Sequence, residues 1–116
     1  MKAILPEQKT LIDIITKDQH RIPKFVDCKN QEHHQAFLVM QQVYDWLIDL
    51  ASDFILTDEW VERMYWVVDG ELKKIKEPLR KKFSDYITKK MKYYLDTAIE
   101  FELYETACNY RNFLQP

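Results

Sequence analysis

The chain has 116 residues, a hydrophobic fraction of 47% and a formal net charge of −2. This length fits a single domain, 1–116, that can bury a core. Gly70 is the only glycine and there are only four prolines, which argues against the tight hairpin turns of an antiparallel β fold, and the near-balanced charge neither demands nor excludes nucleic acid.

The first predicted element is a short helix over residues 6–18. Pro6 suits a first helical turn, and Glu7 near the start suits the helix dipole. The apolar residues of this helix are Leu11, Ile12, Ile14 and Ile15. From Gln19 to Asn30 the apolar period dissolves around Pro23, so we expect a loop there. Its expected anchors on the core are Phe25 and Val26.

A long, central helix is predicted from Gln31. Apolar residues recur at steps of three and four, and others widen the stripe, so several neighbours should contact this helix. The recurring residues are Ala36, Phe37, Met40, Val43, Tyr44, Leu47, Leu50, Ala51 and Phe54. Thr57 then caps a further predicted helix, which Gly70 interrupts at a cost of about 1 kcal/mol relative to alanine.

Pro78 is predicted to occupy the first position of another long helix. One face of this helix carries Leu79, Phe83, Ile87, Met91, Tyr94 and Ala98, and a last short helix follows to Leu114. The pattern predicts an all-α fold, an up-and-down bundle of four to five helices that ends in a helical hairpin.

Neither cysteine, Cys28 or Cys108, belongs to a disulfide or zinc spacing, so both should be reduced structural thiols. The N-terminus has no apolar signal region, and no apolar run reaches the length of a membrane span. We therefore expect a cytoplasmic protein with no membrane partner.

The closing segment, residues 91–115, carries the most specific motif in the chain. Tyr104-Glu105 forms an aromatic-Glu pair, Ala107-Cys108 a pair of small residues, and Arg111 precedes a closing aliphatic residue, Leu114. Leu95 and Ala98 stand ahead of acidic Glu100 and Glu102 on the preceding helix. This arrangement resembles the UVR motif, a helical hairpin found in the bacterial repair proteins UvrB and UvrC and in McsA-like and Clp-associated proteins.

The segment departs from the UVR pattern at two positions. Cys108 replaces an alanine, and Asn112 replaces the acidic residue after the arginine, which removes the charge from any Arg-to-acid pair. The resemblance implies a protein contact module without catalytic activity, with Tyr104, Glu105 and Arg111 as contact residues and a homodimer as one outcome. The alternative is ordinary packing, since small residues let any two antiparallel helices approach closely.

Two tryptophans mark a second candidate protein-binding surface. Trp60 and Trp66 are six residues apart, so they fall on different sides of one helix and should not both enter a single core. An exposed tryptophan is a typical anchor of an interface. Partial burial in the bundle is the alternative.

A basic strip between Lys73 and Lys92 supports an alternative partner, nucleic acid. Lysines on one helix face would contact phosphates whatever the base sequence, and the neighbouring Tyr86 and Tyr93 could stack on unpaired bases. The candidate residues are Lys73, Lys74, Arg80, Lys81, Lys82, Lys89, Lys90 and Lys92. The alternatives are an ordinary solvated helix face, or pairing with the acidic residues between Asp45 and Glu62.

The sequence does not support a cofactor, metal or catalytic site. His33 and His34 are adjacent and cannot both face one ion on a helix, so His20 and Cys28 nearby do not complete a zinc site. Asp45, Asp49 and Asp53 lack a Glu-x-x-His partner segment and suit a solvated face. No nucleophile motif or phosphate-binding glycine loop occurs. The leading interpretation is therefore a small non-enzymatic adaptor or inhibitor-like protein that binds another protein.

Overall fold

The computed structural model describes residues 5–27, 29–52, 67 and 69–114. Within these residues the chain is helical and contains no strand, which confirms the predicted all-α bundle. The helices are α1 (Pro6–Gln19), α2 (Gln31–Ala51), α3 (Leu79–Glu100) and α4 (Tyr104–Leu114). Residues 69–72 are also helical and lead through a turn into α3.

Helix α1 begins at the predicted residue and ends one residue later than predicted, at Gln19. Pro6 is its first residue, and the backbone N–H of Leu5 donates to Gln8 Oε1 at 2.8 Å, which satisfies a donor at the helix start. Its buried residues follow helical spacing: Gln8, Leu11, Ile15 and Asp18. The loop after α1 is also confirmed, because Val26 is buried and Phe25 packs against the core.

Helix α2 is the centre of the bundle and contacts α1, α3 and α4. Its wide apolar stripe explains this position, because eight of its residues are buried on more than one side of the helix. They are Ala36, Val39, Met40, Val43, Tyr44, Leu47, Leu50 and Ala51. The buried apolar residues of all four helices form one core cluster.

Helix α3 starts one residue later than predicted, with Pro78 in the N-cap position instead of the first helical position. The predicted apolar face is otherwise confirmed, since five of its six residues are buried and Leu79 packs partly buried against the core. Helices α3 and α4 then pack against each other as the expected hairpin.

Candidate interaction surfaces

A tightly fixed turn joins α3 to α4. Glu102 adopts a left-handed conformation with φ of 60°, and its N–H donates to the carbonyl oxygen of Ile99 at 3.0 Å. The N–H of Leu103 donates to the carbonyl oxygen of Ala98 at 2.8 Å, which completes a Schellman motif. Leu103 is buried against the core, so backbone hydrogen bonds and apolar packing both hold this turn.

The inner side of α4 is anchored on the central helix. Tyr110 is fully buried, and its hydroxyl donates to the carbonyl oxygen of Leu47 at 2.7 Å. Burial raises the pKa of the Tyr110 hydroxyl above its ordinary value. Ala98 and Ala107 are buried and lie in the packed seam, whereas Cys108, the other small residue of the UVR-like segment, is exposed.

The outer side of α4 carries the three hairpin residues predicted to contact a partner. Tyr104, Glu105 and Arg111 are all exposed, and Tyr104 retains 65% of its accessible surface. Tyr104, Cys108 and Arg111 follow i, i+4, i+7 spacing and therefore share one face. Arg111 Nη2 lies 3.5 Å from Cys108 Sγ along this face.

Ile99, at the end of α3, is 50% exposed on the other side of the same turn. The hairpin therefore presents two large apolar side chains and two charged ones outside the core. We refer to Ile99, Tyr104, Glu105 and Arg111 together as the hairpin end.

Two members of the basic strip are held by contacts within the chain. Arg80 Nε donates to the carbonyl oxygen of Ile75 at 2.7 Å, and Arg80 Nη2 donates to the carbonyl oxygen of Lys73 at 2.8 Å. Lys90 Nζ lies 3.3 Å from Asp18 Oδ2 and 5.8 Å from the centre of the Tyr86 ring. Arg80 and Lys90 therefore have contacts within the fold, and their assignment as phosphate contacts stays a prediction.

The other six cations of the strip remain at the surface. Lys73 pairs with Asp69 at 2.9 Å and Lys74 with Glu71 at 2.8 Å, but exposed pairs of this kind are weak. The remaining four are exposed and form no ion pair within the described residues: Lys81, Lys82, Lys89 and Lys92.

The two candidate stacking tyrosines of α3 differ in their surroundings. Tyr93 is 52% exposed, whereas the Tyr86 hydroxyl is 3.2 Å from the Tyr44 hydroxyl and its ring packs edge-on against Phe25. Tyr86 is therefore half-buried and engaged within the fold, whereas the Tyr93 ring is exposed.

A buried polar cluster links α1, α2 and α3. The Tyr94 hydroxyl donates to Asp18 Oδ2 at 2.7 Å. Burial, with hydrogen bonding to Asp18, raises the pKa of Tyr94, and burial together with the Tyr86 contact raises the pKa of Tyr44. Every buried side-chain nitrogen or oxygen in the described part of the chain has a hydrogen-bond partner. The cluster is therefore a satisfied structural network and not an unpaired reactive group.

Some of the histidines and aspartates considered as metal ligands have contacts within the fold. His33 Nδ1 accepts a hydrogen bond from the N–H of Asp27 at 2.7 Å, which fastens the loop to the start of α2. Asp45 accepts from Gln19 Nε2, while partial burial and the Asp45 charge raise the pKa of Asp49. Among the residues with defined positions, no group of three or more His, Cys, Asp or Glu could hold a metal ion.

Several sequence predictions lie outside the described residues: Trp60 and Trp66, the predicted helix from Thr57 as far as residue 66, and Cys28 and Asp53. The end of that predicted helix is described, because residues 69–72 are helical. Of the three tryptophans, Trp46 is described, and it packs partly buried against the core.

Sequence reasoning missed the buried role of Asp18. The available signal was its spacing, because Asp18 lies three residues after Ile15 and seven after Leu11 on the buried stripe of α1. The partners Tyr94 and Lys90 are more than 70 residues away along the chain, and no local pattern connects them to Asp18.

No family model, curated protein or solved structure matches this chain. In the described residues, none of the helices combines the length and apolar character needed to cross a bilayer.

Proposed function

We propose that this chain is a non-enzymatic adaptor that binds a protein partner through the hairpin end. The observation that carries the proposal is the 65% exposure of the Tyr104 side chain at a turn whose backbone is fixed by the Schellman motif. Tyrosine is enriched among residues that dominate protein interfaces. A preorganised turn loses little conformational entropy when it binds.

The surrounding residues support the same role. Ile99 adds a second exposed apolar side chain, and Glu105 and Arg111 place both signs of charge on the exposed surface of the same helix as Tyr104. Opposite charges around an apolar anchor favour a specific orientation of the partner. The face shared by Tyr104, Cys108 and Arg111 has the spacing with which one helix reads a groove on another protein. The resemblance to the UVR motif agrees with this use.

The test compares two double variants with equal apolar truncation. Ile99→Ala with Tyr104→Ala should reduce capture of the partner from a cell extract about tenfold or more, since truncation of an interface anchor costs at least about 2 kcal/mol. Leu38→Ala with Tyr93→Ala is the control, because these side chains have similar exposure on α2 and α3. Capture at the wild-type level by the hairpin variant would contradict the proposal.

Arg111→Ala separates a binding role from a structural one. The Arg111 side chain is exposed, so its removal should weaken partner binding while the circular dichroism of the helices stays at the wild-type level. Loss of the helical signal would instead make Arg111 a structural residue.

A second candidate function is nucleic-acid binding by the outer face of α3. The observation in its favour is the exposed Tyr93 ring on the same helix as four surface lysines without an ion pair in the described residues. Lys81→Glu with Lys89→Glu should abolish polyanion binding if this function operates. The same variant should leave a protein partner bound at the hairpin end.

A further inference from the structure

A cleft of about 300 Å³ lies where the loop after α1 meets the starts of α2 and α3. Lys74, Lys76 and Lys82 line this cleft, and Glu77 is the one carboxylate among its described lining residues. The hairpin end lies at the opposite end of α3, which is 22 residues and therefore about 33 Å long. The cleft is thus a separate surface from the proposed partner site.

The positive charge of the cleft is only partly neutralised. Lys74 pairs with Glu71, and the Glu77 carboxylate lies 3.8 Å from Arg80 Nε. Lys76 and Lys82 are exposed and form no ion pair in the described part of the chain. Two ammonium groups are therefore available to an anion that enters the cleft.

Neutral donors add to these two charges. The N–H of Asp27 donates to His33 Nδ1, so the ring proton of this lining histidine must lie on Nε2, where it can be donated. Gln31 and Gln35 line the same wall with side-chain amides. The first turn of α3 contains Arg80, Lys81 and Lys82 and no acidic residue, so no local carboxylate offsets the positive end of this helix.

One side of the cleft is apolar. Phe25, Pro78 and Leu79 line it, and the Phe25 ring is held edge-on against Tyr86 at a centroid distance of 5.6 Å. A site that combines a few convergent polar groups with an apolar wall is typical of small-molecule binding. The volume suits a phosphate group that carries a small organic moiety.

We propose that this cleft binds the phosphate group of a small phosphorylated molecule or of a nucleic-acid strand, with Lys76, Lys82 and His33 as its donors and Phe25, Pro78 and Leu79 against the organic part.

The first arm of the test is calorimetric titration of the full chain with adenosine 5′-monophosphate, with adenosine as the control that lacks the phosphate. The nucleotide should bind and adenosine should not. Lys76→Gln with Lys82→Gln should weaken nucleotide binding about tenfold or more, because each charge-assisted hydrogen bond contributes on the order of that factor. Lys9→Gln with Lys17→Gln removes the same charge from exposed positions on α1 that do not line the cleft, and it should change the affinity less than about twofold.

The second arm separates the two sources of phosphate. Tighter binding of a single-stranded oligothymidylate without terminal phosphates, with the same dependence on Lys76 and Lys82, would assign the site to a nucleic-acid strand. Preference for the mononucleotide would assign it to a small molecule. No binding of either probe at millimolar concentration, or equal weakening by both double variants, would overturn the proposal and leave the hairpin end unaffected.

Discussion

Asp18 shows how a single buried residue can tie helices together. Its carboxylate accepts from the Tyr94 hydroxyl and lies close to Lys90 Nζ, so two side chains of α3 are fixed to the end of α1. A buried carboxylate is tolerated only when hydrogen bonds and a nearby cation compensate for lost hydration. Tyr94 and Lys90 supply this compensation.

The Tyr94→Phe variant should lower the free energy of unfolding by about 2 kcal/mol, because it removes a hydrogen bond to a charged, buried acceptor. Tyr93→Phe is the matched control, since Tyr93 is the neighbouring tyrosine and its ring is exposed. Urea denaturation of both variants measures the difference. Equal stability of the two variants would show that the Asp18 contact contributes nothing measurable.

A substitution at Gly70 should stabilise the fold, whereas Tyr94→Phe should destabilise it. It is helical, and a Cβ added at this position meets no atom within 4 Å. Gly70→Ala should therefore raise the free energy of unfolding by about 1 kcal/mol through helix propensity. A lower denaturation midpoint for Gly70→Ala would mean that the position needs glycine for a reason other than space.

At the level of the elements, the turn between α3 and α4 contains a local strain. Glu102 is the one non-glycine residue with positive φ in the described chain, and side chains disfavour that conformation by about 1 kcal/mol or more. Glu102→Gly should raise the free energy of unfolding by up to about 1 kcal/mol. Glycine relieves the backbone strain, but its greater conformational entropy in the unfolded chain offsets part of that gain.

The control for this turn is Glu100→Gly, which places glycine two residues earlier, in the last helical turn of α3. It should lower stability by about 0.5 to 1 kcal/mol, because glycine is unfavourable inside a helix. Thermal unfolding of the two variants should therefore shift in opposite directions. A destabilised Glu102→Gly variant would contradict the account of the turn.

Helix periodicity predicted the elements well, because burial of one face repeats every three to four residues. The spacing of Leu11 and Ile15 predicted the buried face of α1, and the spacing of Phe83 and Ile87 predicted the buried face of α3. The Schellman turn did not follow from the sequence, since Glu102 occupies the position where glycine is the usual signal. The structural role of Arg80 was equally hidden, because its carbonyl acceptors belong to backbone whose path a sequence pattern does not define.

For the whole molecule, three buried tyrosines make the free energy of unfolding depend on pH in the alkaline range. Burial raises the pKa values of Tyr44, Tyr94 and Tyr110, so each stays protonated in the folded chain at a pH where it ionises in the unfolded chain. The unfolded chain then binds fewer protons, so stability falls as pH rises above about 10. Below that pH the contribution of these tyrosines is fully present.

Each of these tyrosines should reduce the free energy of unfolding by about 1.4 kcal/mol per pH unit above pH 10, or about 4 kcal/mol for the three together. Urea denaturation at a series of alkaline pH values measures the slope. Tyr110→Phe should make the slope about one third shallower. An unchanged slope would show that Tyr110 ionises without unfolding.

The candidate surfaces were predicted less completely than the fold. The resemblance to the UVR motif identified Tyr104, Glu105 and Arg111 as contact residues, but the alternative of ordinary helix packing left their exposure open. The cleft that contains Lys76 and Lys82 depends on how the loop after α1 meets two helix starts, and residues distant in sequence create it. Long-range geometry of this kind is absent from any local periodicity.

The central claim is that this chain binds a protein, and not a nucleic acid, as its principal partner. The most direct test is affinity purification from source-cell extract, with and without nuclease treatment, followed by mass spectrometry. We expect a stoichiometric protein that survives nuclease and is lost from the Ile99→Ala, Tyr104→Ala variant. Recovery of partners only while nucleic acid is intact, together with their loss from the Lys81→Glu, Lys89→Glu variant, would contradict the claim and favour the outer face of α3.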